Sequence, residues 1–263
     1  MKKISILAIL TFAFMACEKN IEVDKKQTSP LQYDKNLSPV LFEITSTGCP
    51  GCGGWGKPTF ENIVKENEGT IVPLAIHVKY SDPMITDISN AIEKNIYGSR
   101  YTPQIWVNDS NGVILVGNGI SGEASLKRIN SLLNHSKSSS FDIKIDGNLI
   151  RNGNEITVKY GMKQTEIKSD SLYIACYLLE NNLVFSQNGS SSNPTKHNFV
   201  IRAANEGNFG FNVPKMYNAG ETKEYETSFQ LQNANGYYHV ALVVWKKSKE
   251  RFSCLGGISI KQN

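Results

Sequence analysis

The segment Cys49-Pro50-Gly51-Cys52 holds the residues whose types and spacing could do chemistry. Two thiols separated by two residues can close a disulfide, bind a soft metal, or exchange disulfides with a partner. A zinc site needs further ligands, and neither a second CxxC nor a close pair of histidines is present to supply them. Haem attachment needs a histidine after the second cysteine, where this chain has Gly53. Copper(I) suits a pair of thiolates, but no extra ligand accompanies these two. His77 lies in an apolar run and reads as structural rather than as a ligand. Disulfide exchange is the chemistry that the pair fits best, with Cys49 as the attacking thiolate and Cys52 as the resolving thiol.

That chemistry depends on where the pair sits. Pro39 to Ile44 is a short apolar run that suits a buried strand, and Thr45 to Gly48 breaks the pattern. After the cysteines, Phe60, Ile63 and Val64 fall at helical spacing within Lys57 to Val64. The motif therefore lies between a strand and a helix. A cysteine at a helix N-terminus faces free N–H groups and the positive end of the dipole, which lowers its pKa to between about 3.5 and 7.5.

The run VLFEITSTGCPGC resembles the strand, buried acid and CxxC of the thioredoxin superfamily, and Tyr101-Thr102-Pro103-Gln104-Ile105-Trp106-Val107 resembles the Thr-Pro step before that family's third core strand. The resemblance covers about residues 37–136. It implies a β-α-β-α-β-β-α order: a strand over 70–78, a helix over 87–97, a turn at 109–112, a return strand at 114–117, and a helix over 122–134 with Leu126, Ile129, Leu132 and Leu133 inward. It implies that Glu43 moves protons during exchange and that Pro103 is cis and shapes the substrate groove. Pro50, Gly51, Trp55 and Thr102 would border the substrate. The sequence departs from the family at Gly48, where a Trp is usual, in the order Pro50-Gly51, and at Gly53-Gly54. Because the dipeptide between the cysteines tunes the redox potential, reductase, oxidase and isomerase all stay open. The alternative reading makes the disulfide static and the fold a scaffold.

The flanks supply a setting. Lys2 and Lys3 precede an apolar stretch from Ile4 to Met15, too short to span a bilayer, which ends in Ala16-Cys17. This resembles a bacterial lipoprotein leader over residues 1–16, with Cys17 as the acylated residue and 17–36 as a polar tether. It implies a lipid-anchored protein of the cell envelope, in contact with a membrane through its N-terminus. Without Lys2 and Lys3 the chain keeps 26 basic against 24 acidic residues, a balance that calls for no nucleic acid. No cofactor is implied, and the partners expected are protein or peptide thiols and disulfides.

Beyond the polar stretch 135–140 the helical period gives way to alternation. Seven strand-like runs follow: FDIKIDGN, NEITVKYG, SLYIACYLLE, HNFVIRAA, KEYETSFQL, YYHVALVVW and RFSCLGGISI. They imply an antiparallel all-β sandwich over 137–263, with its own core, after the α/β thioredoxin-like domain. Cys176 and Cys254 read as buried hydrophobes, with a mutual disulfide left open. His197 and Arg202, on one expected strand, read as a structural pair. With the strand Val240 to Trp245, they give the whole chain a looser resemblance to the 28 kDa outer-membrane protein family of Gram-negative anaerobes. That resemblance implies the outer membrane rather than the inner, and a second candidate role in which the sandwich binds a glycan, peptide or protein.

Overall fold

The computed structural model describes residues 29–96, 101–117, 119–139, 141–166, 171–215 and 218–261. The leader and Cys17 lie outside these residues. The described chain is mostly β-sheet with few helices.

The first half builds β1 (Val40–Thr45), α1 (Lys57–Glu66), β2 (Val72–His77), α2 (Asp87–Asn95), β3 (Gln104–Val107), β4 (Ser110–Asn111) and α3 (Gly122–Ser138). β1 is buried along its whole length, as its unbroken apolar run requires for a strand covered on both faces. It pairs in parallel with β2 and antiparallel with β3, whose other edge takes β4. On one face, Leu41, Ile105 and Val107 pack under Phe60 and Ile63 of α1 and Ile129 and Leu133 of α3. On the other, Phe42, Ile44 and Ile76 pack under Ile92 of α2.

Two local expectations shift. The turn after β3 is tighter than 109–112: Val107 pairs with Ser110, and Asn108 takes a positive φ that asparagine tolerates better than most residues. Ser110–Asn111 is thus the return strand, while Leu115–Val116 forms a small ribbon with Gly119–Ile120. Leu126 is exposed rather than inward, because the buried stripe of α3 runs through Ser125, Ile129 and Leu133. Ser125 earns its buried place by accepting a hydrogen bond from the Ile114 N–H at 2.9 Å.

All seven runs of the second half contribute strands: β5 (Ile143–Asn152), β6 (Glu155–Gln164), β7 (Ser171–Asn181), β8 (Val200–Ala204), β9 (Thr222–Gln230), β10 (Tyr237–Ser248) and β11 (Arg251–Ile260). They do not keep to themselves. β8 bridges in parallel to β2, Val200 opposite Ala75, and the Ala75 N–H donates to the Phe199 carbonyl at 2.8 Å. One sheet therefore runs β11-β10-β7-β8-β2-β1-β3-β4. Pro73, which has no N–H, sits in β2 before the point where β8 pairs, so it removes no bond from that junction.

A second sheet of Lys35–Asn36, β5, β6 and β9 covers the outer part of the long sheet, with Ile145, Val158, Tyr160, Ile174, Leu178 and Leu242 between them. Residues 32–36, read from the sequence as the end of the tether, lie against this sheet. Gln32 N–H and Lys35 Nζ both reach the Asp146 carboxylate, at 2.8 and 2.7 Å. The cores are not separate either. Phe42, Ile76, Tyr177, Val243 and Trp245 belong to one cluster, with the Phe42 and Trp245 rings 5.9 Å apart.

Among the described residues, no helix is long and apolar enough to cross a membrane.

Candidate functional site

Cys49 and Cys52 are joined as a disulfide where β1 hands over to the helical segment that begins at Pro50. Proline suits the first position of a helix, where its missing N–H would have found no partner. The next turn, Cys52–Gly56, is widened into a π-helix before α1 continues, a local irregularity found most often at functional sites. The turn aims a backbone donor at the first cysteine: Cys52 N–H lies 3.1 Å from Cys49 Sγ. Cys52 is wholly buried and Cys49 is 6% exposed, so Cys49 is the cysteine nearer to solvent.

The Thr102–Pro103 peptide is cis, as the sequence implied. The Thr102 carbonyl oxygen is 3.6 Å from Cys49 Sγ. Pro103 packs so closely on the turn that a Cβ at Gly56 would lie 2.5 Å from its own Cβ, and one at Gly51 would lie 3.3 Å from its Cδ. Gly56 is thus required for the approach, a role the sequence did not flag. Thr102 Oγ1 is buried with no hydrogen-bond partner among the described residues. Trp55 is half-buried in the α1/α3 core, with its Nε1 3.0 Å from where a Cβ on Gly122 would stand. It therefore packs at the start of α3.

Glu43 points from the middle of β1 beneath the turn, 3.6 Å from a Cβ built on Gly56. It is buried, and its Oε1 has no partner among the described residues. Burial pushes its pKa up to about 7, against the pull of Lys57 and a hydrogen bond with Thr45. Glu43 lines a cavity of about 10 Å3 with Lys57, Glu61, His77 and His197. That is room for roughly one water, in a setting polar enough to hold it. His197 comes from the second half; among the described residues its Nε2 also has no partner, and burial, His77 and Lys57 lower its pKa to about 4. Arg202 lies elsewhere, paired with Glu180 at 3.2 Å, so His197 and Arg202 do not form the pair read from the sequence. His77 Nδ1 is 2.8 Å from Asp82 Oδ2, consistent with a structural role. Among the described residues, no group of three or more His, Cys, Asp or Glu is placed to hold a metal.

Two loops bracket the motif, and one of them is the long segment Ser186 to Lys196, which the sequence reads as either a binding element or flexible filler. Asp82 accepts from the Thr47 and Met84 N–H groups at 2.7 and 2.8 Å, which ties the segment after β2 to the segment before Cys49. Gln187, 1% exposed, places its Nε2 within 3.3 Å of the Ser46, Thr47 and Cys49 carbonyls. Asn188 adds a backbone bond to Thr47 at 2.9 Å and a side-chain bond to Gly48 at 3.2 Å. A Cβ at Gly53 would lie 2.2 Å from the Asn188 carbonyl oxygen, and one at Gly189 would lie 2.1 Å from that of Pro50. The only sequence signal was the length of the loop from Ser186 to Lys196.

Cys176 and Cys254 are free, buried thiols. They belong to cores on opposite faces of the long sheet, which rules out the disulfide left open by the sequence.

No family model and no curated protein matches the chain. Among solved structures, Spo0M of Bacillus subtilis, a sporulation control protein, matches at TM-score 0.26 and 17% identity over 47% of this chain and 51% of its own. A domain of the outer membrane lipoprotein Omp28 from Porphyromonas gingivalis matches at TM-score 0.32 and 18% identity over 46% of this chain and 88% of its own. The fold itself is shared with HBP35 of Porphyromonas gingivalis: TM-score 0.67 at 15% identity, covering 86% of this chain and 76% of that one.

Proposed function

We propose that the chain is an exported, membrane-anchored thiol-disulfide exchange protein, with a thioredoxin-like unit over residues 37–136 and a β-sandwich over 137–263. The observation that carries the reading is the Cys49–Cys52 disulfide at a helix start with the cis Thr102–Pro103 peptide against it. The strand order β2-β1-β3-β4, with α1 and α3 on one face and α2 on the other, supports the thioredoxin-like assignment. The apolar leader ending at Cys17 supports a lipid anchor in the cell envelope, with the outer membrane as the favoured site.

The chemistry starts from the disulfide. A substrate thiolate attacks Sγ of Cys49, the more exposed cysteine; a substrate–Cys49 bond forms, the Cys49–Cys52 bond breaks, and Cys52 leaves as a thiolate. A second substrate thiolate then attacks the substrate sulfur and expels Cys49. The substrate is oxidised by two electrons and the protein is left as a dithiol. In the reverse direction Cys49 attacks a substrate disulfide and Cys52 releases the reduced product. Glu43, near neutral pKa beneath the turn, takes or gives the Cys52 proton.

The near-complete burial of both cysteines favours a second reading, in which the disulfide only braces a binding lipoprotein. Titration of the Cys49–Cys52 couple against glutathione and dithiothreitol separates the two readings. Reversible exchange, with mixed disulfides trapped on Cys49 in Cys52→Ser, supports the exchanger. A couple inert to physiological thiols supports the brace.

A further inference from the structure

The disulfide lies at the bottom of a rim that both halves of the chain build. On one side, Lys79, Tyr80 and Ser81 run consecutively with positive φ, and Tyr80 is 63% exposed. A Cβ at Gly48 would lie 2.6 Å from the Tyr80 Cβ, so glycine beside Cys49 makes room for this aromatic. Ser46 Oγ, donating to the Lys79 carbonyl at 3.2 Å, fixes the turn in place. On the other side, Asn188 holds the Gly48 carbonyl and Gly189 lies on Pro50, followed by the exposed residues 191–193. Gln187 anchors this second wall from beneath.

We propose that this rim is a docking surface for an extended polypeptide, with the second-half loop Asn188-Gly189-Ser190-Ser191-Ser192 and Tyr80 selecting which chains bring a cysteine to Cys49. The proposal rests on the exchange reading above. Three observations name the occupant. Tyr80, Pro50, Gly51, Asn188, Gly189 and the serines carry no charge, and the Lys79 ammonium is paired with Glu93 at 3.0 Å, which suits neutral polypeptide better than an ionic ligand. Tyrosine, serine, glycine and asparagine are the residues that protein-recognition loops favour, for rigid aromatic contact and adaptable hydrogen bonding. Thr102 offers its carbonyl beside Cys49 Sγ, as a backbone-reading edge would.

The test uses the chain from Glu18 onward. Tyr80→Asn removes the ring and keeps a residue tolerant of positive φ. Asn188→Ala removes one side-chain bond and leaves Gln187 and the backbone bond to Thr47. Reduction of the Cys49–Cys52 disulfide is timed with dithiothreitol and with an uncharged twelve-residue peptide carrying one central cysteine. The double variant is expected to lose about tenfold or more in the peptide rate constant while the dithiothreitol rate changes less than about twofold. Equal loss with both reagents would show that the loops only hold the motif together and would overturn the proposal; no loss with either would overturn it too. A wild-type disulfide inert to dithiothreitol is a separate result, and it would remove the exchange reading itself.

Discussion

Glu43 is the residue whose burial has the most direct consequence. Its carboxyl is held protonated to about pH 7 in the folded chain, against an ordinary value of 4.5. Between those values the unfolded chain has released a proton that the folded chain keeps, so stability falls as pH rises, and it levels off above about 7. The gap amounts to roughly 3 kcal/mol. Glu43→Gln is therefore expected to be more stable than wild type at pH 8 by about 2 to 3 kcal/mol, with the difference vanishing near pH 4.5, in urea unfolding. The same variant should slow exchange near neutral pH. A stability difference independent of pH would show that Glu43 ionises freely. The sequence placed Glu43 on its strand before the cysteines. It gave no sign that His197 shares the cavity, since a lone histidine on a short strand carries no periodicity that points across the molecule.

At the level of elements, the widened turn Cys52–Gly56 is held between Pro103 and the loop from Gln187, and the segment before it is tied down by Asp82. Asp82 is buried, which works against its charge, but the His77 bond and two backbone N–H groups hold its pKa below the usual 3.8. That stabilisation is present above 3.8 and is lost as pH falls through the lowered value. Asp82→Ala leaves those donors without an acceptor and is expected to cost about 3 kcal/mol or more in denaturant unfolding at pH 7. A loss under about 1 kcal/mol would mean that water replaces the carboxylate. Strand, turn and helix were legible here because each follows from spacing within a few residues. The bracket was not, because Gln187 reaches a carbonyl 138 residues away in sequence.

For the whole molecule, the decisive feature is the junction of β8 on β2, which makes one sheet and one shared core from two stretches of unlike pattern. A chain ending after Ser139 would bare the β2 edge and the apolar face that Tyr177, Val243 and Trp245 now cover. Such a fragment is expected to bind a hydrophobic dye and to unfold without a sharp thermal transition, whereas cooperative melting would show that the first half stands alone. The sequence by itself determined most strands of both halves, the helix after the cysteines, and the order of CxxC and Thr-Pro, because apolar period, proline and glycine act on neighbours. Only the tertiary structure decided that the halves share a core, that Cys176 and Cys254 lie on opposite faces, and that a second-half loop walls the disulfide. Those outcomes depend on which sheet edges and surfaces meet, a matter of complementary shape between distant segments that no local period records.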